Sequence, residues 1–204
     1  MKILAFSDVH DDSEVIKGLC KKAVKENVDL LLSAGDFGNF GYGLNSALAK
    51  FNIGKQILAI PGNHETSEQL LKAEKKFKFL TVIHLKSLTV KDVLFFGCGG
   101  ALFTPFHTVN EFSEDEFQEF LEEFDSSQRK EAKKFVFVMH QPPYNTKLDM
   151  LSEHIGSKSL REFILKNKPD YAFCGHFHEH MNEEDKINNT RIINPGSSGT
   201  IIEI

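Results

Sequence analysis

Apolar residues along the chain fall into short unbroken runs separated by turn residues. The runs at 3–6, 30–33, 56–60, 80–84, 93–97, 135–139, 171–174, 191–193 and 200–204 have the length and apolar or β-branched character of buried strands. Between the early runs the spacing becomes helical. Val15, Ile16, Leu19, Cys20 and Ala23 share one face of a helix expected to start near Asp12 or Ser13. Leu44, Ala47, Leu48 and Phe51 mark a second helix. Leu70, Leu71 and Phe77 mark a third, opened by Thr66 or Ser67. Ser113 with Glu116 has the pattern of a capping box, and Phe112 with Phe117 that of a hydrophobic staple. Phe117, Phe120, Leu121 and Phe124 follow at helical spacing and are read as core. Ser159 and Glu162 repeat the box and predict a fifth helix that ends before Pro169.

Strand–helix alternation in the first half predicts a parallel sheet. After residue 170 the pattern is all strand, which predicts antiparallel pairing. The fold class is therefore mixed α/β, with two sheets rather than one doubly wound sheet. The segment 104–134 is expected to carry a loop and the Phe-rich helix. The 204 residues show no internal repeat or linker, and at about 150 residues per domain they predict a single domain over 1–204.

Composition narrows the class. Apolar residues make up 41% and charged residues 26%, which excludes a largely disordered chain. No apolar run approaches the roughly 18 residues needed to span a bilayer, so no membrane partner is expected. The start carries acids at Asp11 and Asp12 and does not read as a leader, which gives a cytoplasmic expectation. Cys20, Cys98 and Cys174 are widely spaced and odd in number. They form neither a disulfide framework nor a zinc knuckle and are expected as buried thiols of a reducing compartment. The net charge of −5 gives no footprint for a nucleic-acid polymer. The basic runs at 72–78 and 129–134 fall on expected helices and read as solvated faces.

Nine histidines stand out, and their placement matters more than their number. Asp8 and His10 follow the first strand, Asp36 the second, and Asn63 and His64 the third. His140 follows the run at 135–139, and His176 and His178 follow the run at 171–174. Residues at the carboxyl ends of strands converge on one edge of a sheet, where α/β folds place their sites. Imidazole with carboxylate suits Mn, Fe, Zn, Ni or Co, whereas an all-oxygen shell suits Mg or Ca. Asp8, His10, Asp36, Asn63, His140, His176 and His178 supply enough ligands for two divalent transition-metal ions if one carboxylate bridges. Two ions roughly 3.5–4 Å apart can hold a bridging hydroxide and clamp a phosphoryl group.

The blocks Asp8-Val9-His10, Gly35-Asp36, Gly62-Asn63-His64-Glu65, His140 and Gly175-His176-Phe177-His178 resemble, in order, those of the calcineurin-like metallophosphoesterase superfamily. The resemblance implies a two-sheet β-sandwich flanked by helices and a binuclear phosphoesterase. It implies that Asp8, His10 and His178 hold one ion with Asp36, that Asn63, His140 and His176 hold the other, and that Asp36 bridges. It makes His64 the catalytic histidine, which stabilises the phosphoryl transition state or protonates the leaving oxygen. His140-Gln141-Pro142-Pro143 with Asp149, the segment 100–106 and Asn194-Pro195-Gly196-Ser197 look like small phosphoesterases related to cyclic-nucleotide phosphodiesterases. The Asp-Arg pair that follows the bridging Asp in protein serine/threonine phosphatases is replaced by Phe37-Gly38-Asn39. That departure argues against protein dephosphorylation. The expected substrate is a small phosphate ester, a phosphodiester of a small or cyclic nucleotide first, and activity is expected with Mn²⁺. Two rivals are a non-catalytic protein-binding scaffold on the same fold and a nuclease acting on short strands. Retained ligands oppose the first, and the absence of a Lys/Arg cluster beside the motifs opposes the second.

The remaining polar residues take plainer expectations. His180 is expected at the surface or behind the site, and His84 as a strand-end structural residue. His154 has no motif support. His107, in the loop after Pro105, is a weak candidate for substrate contact. Asp11 and Asp12 are read as acids at a helix N-terminus, and Glu65 as a residue that orients its turn. Asn194 to Ser197 either back the site or form a turn between strands.

Overall fold

In the computed structural model, which describes residues 1–204, strands and helices alternate as the apolar runs predict. In order they are β1 (Lys2–Phe6), α1 (Ser13–Lys25), β2 (Leu30–Ser33), α2 (Leu44–Lys50), β3 (Gln56–Ala59), α3 (Ser67–Lys76) and β4 (Leu80–Val82). There follow β5 (Ser87–Val90), β6 (Val93–Cys98), β7 (Ala101–Leu102), β8 (Glu111–Phe112), α4 (Glu114–Glu122), β9 (Lys134–Met139) and α5 (Lys158–Asn167). The chain ends with β10 (Tyr171–Phe173), β11 (Glu183–Ile187), β12 (Thr190–Asn194) and β13 (Thr200–Glu203). One sheet has the order β13-β1-β2-β3-β4 and the other β11-β12-β10-β9-β6-β5, with β7 and β8 forming a small ribbon.

The unbroken apolar runs are explained by burial on both strand faces. On β1, Ile3 and Ala5 turn inward and pack with Phe95, Val136, Val138 and Phe173 of the other sheet. Leu4 and Phe6 turn outward and pack with Ile16 and Leu19 of α1, Leu48 of α2 and Leu70 of α3. The second sheet repeats the arrangement, its outer residues Leu94, Phe96, Phe135 and Phe137 packing on Phe117 of α4 and on Leu160 and Phe163 of α5. Four layers result: helices, sheet, sheet, helices. Phenylalanine fills the far layer in place of the absent tryptophan, with Phe96 5.7 Å from Phe163 and Phe124 5.0 Å from Phe135 between ring centroids.

Helix starts follow their capping residues. Asp12 caps α1, and Thr66 with Gln69 and Ser113 with Glu116 form capping boxes on α3 and α4. Phe112 and Phe117 meet edge to face at 6.0 Å, as a staple requires. The expected start of α5 is corrected. The helix is capped by Ser157, not by a Ser159–Glu162 box. Glu114 of α4 accepts from the Lys158 and Ser159 amides and the Ser157 hydroxyl, so a carboxylate from another helix serves this N-terminus.

Strand pairing needs a second correction. β1, β2, β3 and β4 are parallel as expected, but β10 near the end is also parallel, to both β9 and β12. Antiparallel pairing in the tail is confined to β11 with β12 and to β13 with β1. β13 thus leaves one sheet for the edge of the other. β5 and β11 were not among the expected strands. Both are edge strands, and the Glu-Glu-Asp-Lys of β11 is the charged composition that blunts an edge. No helix is long and apolar enough to cross a membrane.

Every site block lies just past the carboxyl end of a strand, from β1, β2 and β3 in one sheet and β9 and β10 in the other. Glu65 binds two of these turns together. It is fully buried, and its carboxylate accepts from the backbone N–H groups of Asp36, Phe37, Gly38 and Gly62. Glu65→Gln would aim an NH₂ at one of those amides. It should destabilise the metal-free protein by about 1–3 kcal/mol in urea unfolding; an unchanged midpoint contradicts this role.

Candidate metal centre

The turns that carry the site are tight. Four of the seven predicted ligands sit at positive φ: Asp8 at 55°, His10 at 44°, Asp36 at 59° and His176 at 71°. Non-glycine residues seldom adopt this region, and such strain concentrates where geometry serves a site. Glycine is required beside them. Gly35 has φ +104°, and a Cβ there would lie 2.5 Å from the Gly62 backbone nitrogen. A Cβ on Gly62 would lie 1.9 Å from Asp36 Oδ1. The Asp36 carboxylate therefore occupies space that only glycine leaves free.

All seven predicted side chains converge. Asp8 and Asp36 are 3% and 1% exposed, and no Lys or Arg pairs with either. Their cationic neighbours are all imidazoles. His178 Nε2 lies 3.6 Å from Asp8 Oδ1, and His140 Nε2 lies 3.4 Å from Asp36 Oδ2. His10 Nε2 lies 3.9 Å from Asp36 Oδ2 and 3.3 Å from His178 Nε2. Donor atoms of Asp8, His10 and His178 lie within 4.8 Å of one another, as do those of Asp8, Asp36 and His140.

The backbone sets the ring tautomers. His10 Nδ1 is 3.0 Å from the Gly38 carbonyl and His140 Nδ1 is 2.7 Å from that of Ala34. A carbonyl only accepts, so Nδ1 carries the proton in each neutral ring and Nε2 turns its lone pair into the centre. Asn63 is oriented in the same way. Thr108 spends its one hydroxyl proton on Glu111 Oε1 at 2.6 Å and accepts from Asn63 Nδ2 at 3.0 Å. Asn63 Oδ1 is left facing His140 Nε2 at 2.8 Å and His176 Nδ1 at 3.0 Å. With His140 neutral, its Nε2 lone pair and the Asn63 oxygen converge beside two buried carboxylates, a donor set that fits cations.

Electrostatics agree. Burial opposes charge on Asp8 and Asp36, but the His178 hydrogen bond to Asp8 and the His140 charge beside Asp36 hold both below the ordinary carboxylate value. Burial also opposes charge on His140, yet Asp36 outweighs it and raises its pKa to about 9. Burial and the His140 charge push His176 down to about 4. In the metal-free protein, protons stand where cations would. Burial and the Asp36 charge raise Glu65 to about 7.

His64 differs from the seven. Its Nδ1 accepts from the Phe40 amide at 3.0 Å, so the neutral ring carries its proton on Nε2, 4.0 Å from Asp36 Oδ2. It presents a donor to the centre, not a lone pair. Burial lowers its pKa and keeps the ring neutral near pH 7.

The plainer residues fall largely where expected. Asp11 pairs with Lys50, and His84 Nδ1 accepts from the Gly99 amide. His180 bonds Glu183 and the Met150 carbonyl. His154 bonds the buried Asp149. The Asn194 turn backs the site: Asn194 donates to the Phe177 carbonyl, and the Ser7 amide donates to the Gly196 carbonyl. Cys98 and Cys174 are buried and Cys20 half-buried. His107 is exposed and does not line the cavity beside the centre; its neighbours Phe106 and Thr108 do. Thr108 and Glu111 have structural parts in the site that no motif marked, and Gln141, within the His140-Gln141-Pro142-Pro143 block, had no role assigned. Only their place in the folded loops reveals them.

Comparisons with known proteins identify the family and the fold. The calcineurin-like phosphoesterase (Metallophos) family model matches residues 1–180. The uncharacterized protein MJ1162 of Methanocaldococcus jannaschii is 34% identical over 206 residues, covering 96% of this chain and 88% of that one. The fold is similar to TT1561 of Thermus thermophilus, at TM-score 0.78 and 15% identity over 97% of this chain and 89% of that one. It is also similar to a dimetal phosphatase from Danio rerio, at TM-score 0.62 and 11% identity over 95% and 86%. On the extent of the family match, the chain belongs to the calcineurin-like phosphoesterases, a metal-dependent family.

Proposed function

We propose that the chain hydrolyses phosphate esters, phosphodiesters first, with two divalent ions at this centre. Asp8, His10, His178 and Asp36 would hold one ion, and Asn63, His140, His176 and Asp36 the other. The observation that carries this reading is the pair of buried carboxylates whose only cationic partners are imidazoles. When bound, such ions activate water and neutralise charge on phosphoryl oxygens. The similarity in fold to a protein named as a dimetal phosphatase is consistent with a pair of ions.

The chain's own residues then do the following. Asp36 joins the two halves of the donor set. Thr108 and Glu111 keep the Asn63 oxygen turned inward. His64 as the neutral ring donates a hydrogen bond from Nε2 to a phosphoryl oxygen; only as the minor imidazolium form does it pass that proton to the leaving oxygen and return to the neutral ring. The preference for diesters rests on charge. No Lys or Arg lines the cavity that opens from the centre, so nothing beyond the ions grips the second charge of a monoester. A scaffold would have no use for the donor set and its strained turns.

With Mn²⁺ the protein should hydrolyse bis-p-nitrophenyl phosphate and lose that activity on chelation; metal-replete protein with no turnover contradicts the proposal. His64→Ala should retain its metal and lose about 10²-fold or more in kcat/KM on esters with alkoxide leaving groups. The loss should be smaller for nitrophenolate, which needs no proton. An equal loss for both assigns His64 to phosphoryl stabilisation alone.

Metal binding should depend on pH with a defined sign. His140, with a pKa of about 9 in the metal-free protein, is protonated at neutral pH and must lose that proton to ligate. Affinity should therefore rise with pH through this range and level off above about 9. Calorimetry in buffers of different ionisation enthalpy should find at least one proton released per chain near pH 7; affinity independent of pH contradicts the assignment.

A further inference from the structure

The metal centre opens into a cavity of about 700 Å³, the size of a small-molecule site. Asp36, Asn63, His64, His176 and His178 lie at one end. The rest is apolar. Of the ten large hydrophobic side chains exposed on the protein, five line this cavity: Phe40, Phe103, Phe106, Leu151 and Ile155. Phe103 and Phe106 are 69% and 76% exposed. Apolar surface gathered in a concave site favours burial against another apolar surface.

The wall is braced from behind. Glu111 accepts from the amides and hydroxyls of Thr104 and Thr108. Gln141 accepts from the Leu102 amide and donates to the Ile155 carbonyl. The polar side chains of the wall are therefore already committed within the protein. Beyond the centre itself, the only charged lining residue is Glu179. A nucleotide arm would bring a base edge and sugar hydroxyls that need partners, and such groups left unpaired cost binding. A polyphosphate arm would meet Glu179 and no cation.

We propose that the ester's non-phosphate arm is a bulky apolar group, seated among Phe40, Phe103, Phe106, Leu151 and Ile155 while its phosphate lies at the centre. The inference rests on the phosphoesterase reading for the role of the centre. It replaces the nucleotide expected from sequence with an amphiphilic ester.

Metal-loaded protein is titrated calorimetrically with methyl-, butyl- and octylphosphonate, and hydrolysis of the matching alkyl p-nitrophenyl phosphates is followed in parallel. A fully buried methylene is worth about fourfold in affinity. In a cavity open to solvent, affinity should still rise about 100-fold from methyl to octyl. Phe103→Ala and Phe106→Ala, both at exposed positions, should each shrink the octyl-to-methyl ratio. Affinity that stays flat with chain length, or no binding of octylphosphonate, overturns the inference. Adenosine 5′-monophosphate bound more tightly than octylphosphonate overturns it too and points to a nucleotide arm. Affinity that rises with chain length while no ester is hydrolysed supports the apolar cavity and contradicts the phosphoesterase reading instead.

Discussion

Two carboxylates, Asp8 and Asp36, are buried side by side with no lysine or arginine to balance them. In a medium of low polarity this arrangement is costly unless cations or protons sit between the charges. Much of the local structure serves it. Gly35 and Gly62 leave room for Asp36, and Glu65 locks the turns that aim it. Carbonyls of Ala34 and Gly38 hold His140 and His10 with their lone pairs inward. The sandwich brings strand ends from both sheets to one place, so the predicted ligands from residues 8 to 178 meet without a long loop to carry them.

This division of labour explains what could be read from the sequence. Strands buried on both faces, such as 30–33 and 135–139, show as unbroken apolar runs. The predicted ligands, one to four residues past such runs, are legible because the strand end fixes where they go. Edge strands are harder. β11 is mostly charged, and its identity comes from pairing with β12. The start of α5 escaped local pattern reading because its N-terminus is served by Glu114, more than 40 residues earlier in the chain. The tail strands looked antiparallel because helices are sparse there, yet β10 enters between two parallel neighbours.

The cavity wall was the least legible part. Phe103, Phe106, Leu151 and Ile155 lie in segments without periodicity and meet only in the folded chain. Their placement depends on Glu111 and Gln141, whose partners are set by tertiary contact. The centre and the wall thus divide the chemistry. The centre is polar, strained and specified by short motifs, and it suits a phosphate. The wall is mostly apolar and specified by packing, and in the proposal it takes what the phosphate is attached to.

The central claim is that Asp36 stands between two metal sites. Anomalous X-ray diffraction from crystals grown with Mn²⁺ tests it most directly. The account predicts two anomalous peaks roughly 3.5–4 Å apart, one among Asp8, His10 and His178 and one among Asn63, His140 and His176, with Asp36 between them. A single peak, or peaks away from Asp36, would contradict it.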